Sequence, residues 1–252
     1  MTEERRSDLP NKPLVEAIVE IKWGQEKQID TITAGRLYEK VREEYPVIED
    51  LPITQIPIEL PHMVRHRFRR EKDGWPLIQI GPGVLTVNET EGYHWEEFSS
   101  RVRAVLPKLY EAHPSPDSLN IKSLLLRYIN AIEFDFLSED LLAFLSNNLH
   151  ISISLAPSLF EETGVDPRPR ALTGQLIFPV QDPEGALIMH IGSGKRKGQN
   201  ALVWEIQFRS TESEIPKMPD GFPPWLEAAH ATAEKWFFGM VRGVLLDSFM
   251  KP

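Results

Sequence analysis

From Pro13 to Trp23 the chain alternates. Val15, Ala17, Val19, Ile21 and Trp23 share one face, while Glu16, Ile18, Glu20 and Lys22 share the other. A period of two, bounded by Pro13 and Gly24, predicts a half-buried β-strand. A second such run, Leu126-Arg127-Tyr128-Ile129-Asn130-Ala131-Ile132-Glu133-Phe134, lies near mid-chain. Laid over the first, it sets Val15 on Leu126, Ile18 on Ile129, Ile21 on Ile132 and Trp23 on Phe134. At the same offset Asp73-Gly74 falls on Glu184-Gly185, and Ile78–Gly83 falls on Met189–Gly194. These coincidences predict an internal duplication.

The elements between the landmarks follow the same order twice. Residues 1–12 read as a charged, flexible tail. Asp30 marks an N-cap for a helix running to Tyr45 on the stripe Ala34, Leu37, Val41, Tyr45, with Pro46 as its stop. Ile53–Pro61, punctuated by proline, suits an edge strand or extended linker. Met63–Arg70 and Pro76–Ile80 flank the hairpin signal Asp73-Gly74, and Gly81-Pro82-Gly83 turns into the strand Val84–Val87. A helix from Tyr93 to His113 follows, with Trp95, Phe98, Val102, Val105, Leu106 and Leu109 on one face. Pro114-Ser115-Pro116 closes this half.

In the second half a strand at Leu124–Phe134 leads to a helix over 138–148, capped by Ser138. Beyond the irregular 151–170 come strands at Leu172–Val180, Ala186–Ile191 and Ala201–Arg209, then one long helix over 224–249 opened by Pro224. The predicted fold is α+β: an internal duplication of a strand–helix–three-strand–helix unit, with mainly antiparallel sheet covered by helices. The halves are 13–116 and 117–252, forming one compact unit joined through the lead strands. Glu16 with Arg127 and Lys22 with Glu133 then carry complementary charges at equivalent positions.

Composition narrows the function classes. The chain has 252 residues, 41% hydrophobic and 26% charged, in the range of globular proteins. No run reaches the roughly 18 apolar residues of a membrane span, and the N-terminus lacks a signal-peptide core, so no membrane association and a cytoplasmic location are expected. With no cysteine, thiolate metal sites, Fe–S clusters and cysteine nucleophiles are excluded. A net charge of −9 disfavours a dedicated nucleic-acid binder.

The stretch Leu9-Pro10-Asn11-Lys12-Pro13-Leu14-Val15-Glu16-Ala17-Ile18-Val19-Glu20-Ile21-Lys22-Trp23 resembles a sporadically distributed family of uncharacterised prokaryotic proteins of about this length. Leu126–Asn130 and Trp225-Leu226-Glu227-Ala228-Ala229-His230 extend the resemblance over the whole chain. It implies no activity. A patchy distribution implies an accessory gene, such as a defence or toxin–antitoxin component.

The strongest chemical anomaly is Arg65-His66-Arg67-Phe68-Arg69-Arg70. On a strand Arg65, Arg67 and Arg69 share one face, placed to hold phosphate or a carboxylate-rich partner. A solvated or charge-protected strand face is the plain alternative. Lys195-Arg196-Lys197 follows Gly192-Ser193-Gly194, but Arg196 stands where a phosphate loop needs a hydroxyl, and no helix begins there. The plain reading is a flexible hairpin tip, which can still flank a cleft. Trp95 and Trp225 start helices at matching places and are candidate aromatic walls, or core. His62 and His66 would lie roughly 13 Å apart on a strand, too far to share a metal, and His230 reads as a core or surface histidine.

These features favour a non-enzymatic binding or interaction protein, antitoxin-like in its acidity, with a cleft or docking surface between the halves. Its expected contacts are Arg65, His66, Arg67, Arg69, Lys195, Arg196, Trp95 and Trp225, with no cofactor and no metal. A protein partner or small anionic ligand is the expected class, a homodimer is compatible, and nucleic acid is not favoured. The alternative is an enzyme acting on a phosphate-containing ligand or nucleic acid through strand 65–70.

Overall fold

The computed structural model describes residues 9–51, 62–90 and 92–251. Its strands are β1 (Leu14–Trp23), β2 (Val47–Asp50), β3 (His66–Arg69), β4 (Leu77–Gly81), β5 (Val84–Glu89), β6 (Ile121–Glu133), β7 (Thr173–Gln181), β8 (Glu184–Arg196) and β9 (Gln199–Thr211). They form one nine-stranded sheet, ordered β2-β3-β4-β5-β1-β6-β9-β8-β7, with every neighbouring pair antiparallel. The lead strands sit side by side at its centre, with Val19 opposite Leu126 and Ala17 opposite Tyr128. Outward from that seam, β5, β4 and β3 on one side mirror β9, β8 and β7 on the other.

Alternation in the lead strands sends Ala17, Val19, Ile21 and Trp23, with Leu124, Leu126 and Tyr128, to a single buried face. Against that face pack α1 (Lys27–Val41), α2 (Trp95–Ala112) and α4 (Phe222–Met240). Two shorter helices, α3 (Leu141–Asn148) and α5 (Gly243–Met250), pack on each other. Trp23, Trp204, Tyr128, Phe98, Phe208 and Phe237 are fully buried in this layer. Burying a large apolar side chain contributes about 1.5–3 kcal/mol, so this layer holds sheet and helices together.

Several expected boundaries move, each for a local reason. Helix α1 begins before Asp30, whose carboxylate accepts from the Trp23 indole at 3.0 Å and reaches back to the N–H of cap residue Glu26 at 2.9 Å. Asp140, not Ser138, caps α3 by accepting from the Ala143 N–H. The single C-terminal helix is two. Arg242 leaves helical geometry to donate to the carbonyls of Ser146, Asn147 and Asn148 at the end of α3, and Gly243 follows at φ +58°. Those carbonyls have no partner inside α3, so binding them compensates the break.

Leu9 is buried and the Asn11 N–H bonds the Phe249 carbonyl, so this part of the expected tail is docked on α5. The first eight residues and the expected Ile53–Pro61 strand lie outside the described residues. Asp73-Gly74 falls in the turn between β3 and β4, whereas Glu184-Gly185 opens β8 just past the Asp182-Pro183 turn from β7. Gly192-Ser193-Gly194, however, is interior to β8 and not a turn like Gly81-Pro82-Gly83.

The anticipated seam ion pairs take other partners. Arg127 binds Glu205 on β9 with bonds of 2.9 and 2.6 Å, Lys22 pairs with Glu20, and Glu16 accepts from Asn88. Burial alone pushes the Glu205 carboxyl up. The Arg127 bonds and charge, with a bond from Gln207, outweigh it and hold the group below its ordinary 4.5. A depressed folded value stabilises the protein above the unfolded value and loses that contribution as pH falls through the folded one. Below pH 4.5, Glu205→Gln is therefore expected to flatten the fall of stability with acid, read from urea midpoints across a pH series.

Candidate functional site

A groove of ≈ 850 Å³ runs between α2 and α4. On α4, Glu227, His230 and Glu234 recur at intervals of three and four, a spacing that puts them on one helical stripe. On α2, Trp95, Ser99 and Arg103 repeat at four-residue steps and face them across the groove. Arg103 forms an ion pair with Glu227, which also accepts from the Trp95 indole at 3.2 Å. The Trp95 ring stacks on His230 with centroids 3.6 Å apart and planes 13° from parallel.

His230 is held at both ring nitrogens as well as on the face stacked against Trp95. Its Nε2 meets the Glu234 carboxylate at 2.9 Å, and its Nδ1 meets the Tyr128 hydroxyl at 2.8 Å. The Tyr128 hydroxyl in turn lies 3.0 Å from that of Tyr93. When Nε2–H donates to Glu234, Nδ1 of the neutral ring is an acceptor for Tyr128, whose oxygen accepts from Tyr93. The chain runs from the centre of the sheet to the groove wall. Tyr128 is fully buried, so its hydroxyl depends on these partners.

Both ring nitrogens and one face of the imidazole are therefore committed to protein groups. With both nitrogens so engaged, the His230 ring forms part of the groove's polar wall. What the groove presents is mixed chemistry: carboxylates of Glu96 and Glu234, the Arg103 guanidinium, the Lys235 ammonium and the apolar edge of Phe238. Such a surface suits a polar ligand or a partner segment with both donors and acceptors. Beyond α4, a more apolar groove of ≈ 700 Å³ is lined by Phe178, Met189, Trp236 and Met240.

No family model matches the chain, and no curated protein is significantly similar to it. Among solved structures, DynU16, a protein of the dynemicin biosynthetic locus, aligns over 89% of this chain and 95% of its own at 12% identity, with a TM-score of 0.26. A likeness that slight carries no argument.

The sequence-derived candidates separate into three places. Trp95 is in the groove, whereas Trp225 is core: it is 3% exposed, stacks on Phe222 and donates to Ser210. Arg67 and Arg69 share the sheet face opposite the helices, as alternation requires, but neighbouring carboxylates and carbonyls already take them up. Arg69 is 8% exposed and donates to Glu49 at 2.9 Å and to the Gly74 carbonyl at 2.8 Å. Arg67 donates to Gln79 and lies 3.6 Å from Glu49. His66 bonds Asp50 at 2.7 Å. Glu49 and Asp50 belong to β2, which pairs β3 and makes that strand internal to the sheet. Arg65 stands just before β3 with no side-chain partner among the described residues.

Lys195 and Arg196 are remote from strand 65–70 in sequence but line a second cleft with Trp75, close to Arg69. No group of three or more metal-ligating side chains converges among the described residues, and no helix there is long and apolar enough to cross a membrane. His230, Glu227, Glu234 and Arg103 were missing from the sequence-derived set. Their signal was present as the carboxylate–histidine–carboxylate stripe on α4.

Proposed function

We propose that the protein is a non-enzymatic binding protein whose ligand or partner segment sits in the groove between α2 and α4. One observation carries this reading: Trp95, Arg103, Glu227, His230 and Glu234 converge there, already oriented by each other and by Tyr128. Preorganised polar groups lower the ordering cost of binding, which favours recognition. The committed nitrogens of His230 favour recognition over acid–base turnover. The paired state of Arg67 and Arg69 weighs against phosphate capture on the arginine strand.

We also read the chain as a duplicated unit, supported by the mirrored strand order about β1 and β6 and by a hairpin turn at or next to each of Asp73-Gly74 and Glu184-Gly185. Gly192–Gly194 within β8 then requires a lengthened second hairpin instead of an ungapped repeat. On this reading the groove lies between corresponding helices of the two halves. Membership of an accessory, antitoxin-like system rests on the N-terminal resemblance and the acidic charge.

The test is native mass spectrometry of the protein purified gently from its producing cells, beside Trp95→Ala. A bound small molecule or peptide of defined mass on the parent protein, reduced about tenfold or more in the variant, is expected. Equal retention by both proteins contradicts the assignment.

A further inference from the structure

The tip of the β8–β9 hairpin gathers Lys195, Arg196 and Lys197, with Lys197 (φ +49°) and Gly198 (φ +87°) making the turn. The ladder to β7 ends at Gly192 and that to β6 at Ala201, so the tip outruns both neighbouring strands. It does not project freely. Arg196 Nη1 donates to the Ala131 carbonyl at 2.8 Å, and the Ala131 N–H bonds the Pro13 carbonyl, which folds the tip back over the start of β1. A cleft of ≈ 740 Å³ is left between this tip, the Trp75-Pro76 turn before β4 and the first turns of α2.

The charge lining this cleft runs against that of the whole chain. Its described residues carry four cations against two carboxylates, although the whole chain has a net charge of −9. Both carboxylates, Glu89 and Glu97, are held by Arg101 at 3.0 Å. Lys195 is exposed and has no side-chain partner among the described residues. Trp75 on the facing wall is 40% exposed, and Arg69 lies against its ring, 5.9 Å from the centroid. The cleft thus offers an aromatic platform across from an ammonium-rich edge. A basic concavity draws an anion, and a flat ring stacks on an exposed indole.

We propose that this cleft binds a nucleoside phosphate, its base on Trp75 and its phosphates against Lys195, Arg196 and Lys197. The site is distinct from the groove between α2 and α4, with α2 as the wall common to both. Isothermal titration of the full chain with ATP, and with tripolyphosphate as a probe lacking a base, tests it. Saturable ATP binding that weakens with added salt is expected, falling about tenfold or more in Lys195→Glu. Trp75→Ala is expected to weaken ATP several-fold while leaving tripolyphosphate unchanged.

Glu227→Gln in the other groove is expected to leave ATP binding intact, so failure there does not imitate failure here. Circular dichroism melts confirm that the variants are folded. Absence of saturable ATP binding overturns the proposal, as does ATP affinity unchanged in folded Lys195→Glu. Equal affinity for ATP and tripolyphosphate, with Trp75→Ala silent, overturns the nucleoside part. Tight binding of a single-stranded oligonucleotide without saturable ATP binding also overturns it.

Discussion

Arg101→Met is expected to cost about 3–5 kcal/mol of stability, the usual range when one partner of a buried ion pair is removed. The Glu89 side chain is only 4% exposed, on the helix-covered face of the sheet, and Arg101 lies over it at 13% exposure. The bond between them spans α2 and β5 at 3.0 Å. Methionine keeps much of the volume but leaves the carboxylate with little beyond the adjacent Thr90 N–H. The cost therefore comes from an unpaired buried charge and not from lost packing. Glu89→Gln combined with Arg101→Met is expected to recover most of the loss. Urea unfolding of the two single variants and the double variant measures this. An additive double variant would mean that the pair is not coupled.

Tyr128→Phe is expected to cost about 1–3 kcal/mol, since the phenol ring stays while two buried groups each lose a hydrogen bond. His230 Nδ1 and the Tyr93 hydroxyl both lose a bond, and neither site is open to water from the sheet side. With His230 less fixed, its stack on Trp95 loosens, so the groove changes although none of its lining residues has been altered. The check is a thermal melt combined with the ligand retention described above. Lower stability with weaker retention is expected. Unchanged stability would mean that the hydroxyl chain does not hold His230.

The centre of the fold was readable because strand alternation in β1 and β6 reports burial, except at Val15, which a bulge beside Leu14 turns outward, and the expected pairing of the two strands is present in the sheet. β2 was not readable. Four residues, Val47–Asp50, are too few to show a period, and their role is to bind Arg67, Arg69 and His66 across the sheet. The positive charge of strand 65–70 was therefore evident in sequence while its neutralisation was not. The break between α4 and α5 was hidden for a similar reason: Arg242 leaves the helix for carbonyls nearly a hundred residues away. At the groove, Trp95 was legible from its place at a helix start. His230 was not assigned, because its significance depends on Tyr128, which looks like any apolar-face residue of β6. Lys195 and Trp75 show the same limit, since only the fold brings the hairpin tip to the turn before β4.

The most direct test of the α2–α4 groove as the binding site is amide and indole NMR shift mapping with the ligand retained from the native preparation. With the ligand in that groove, the largest shifts are expected on 95–103 and 227–239, including the Trp95 indole N–H, and they vanish in Trp95→Ala. Shifts centred on Phe178, Met189 and the Trp236 indole, persisting in that variant, would place the ligand beyond α4 and contradict this placement.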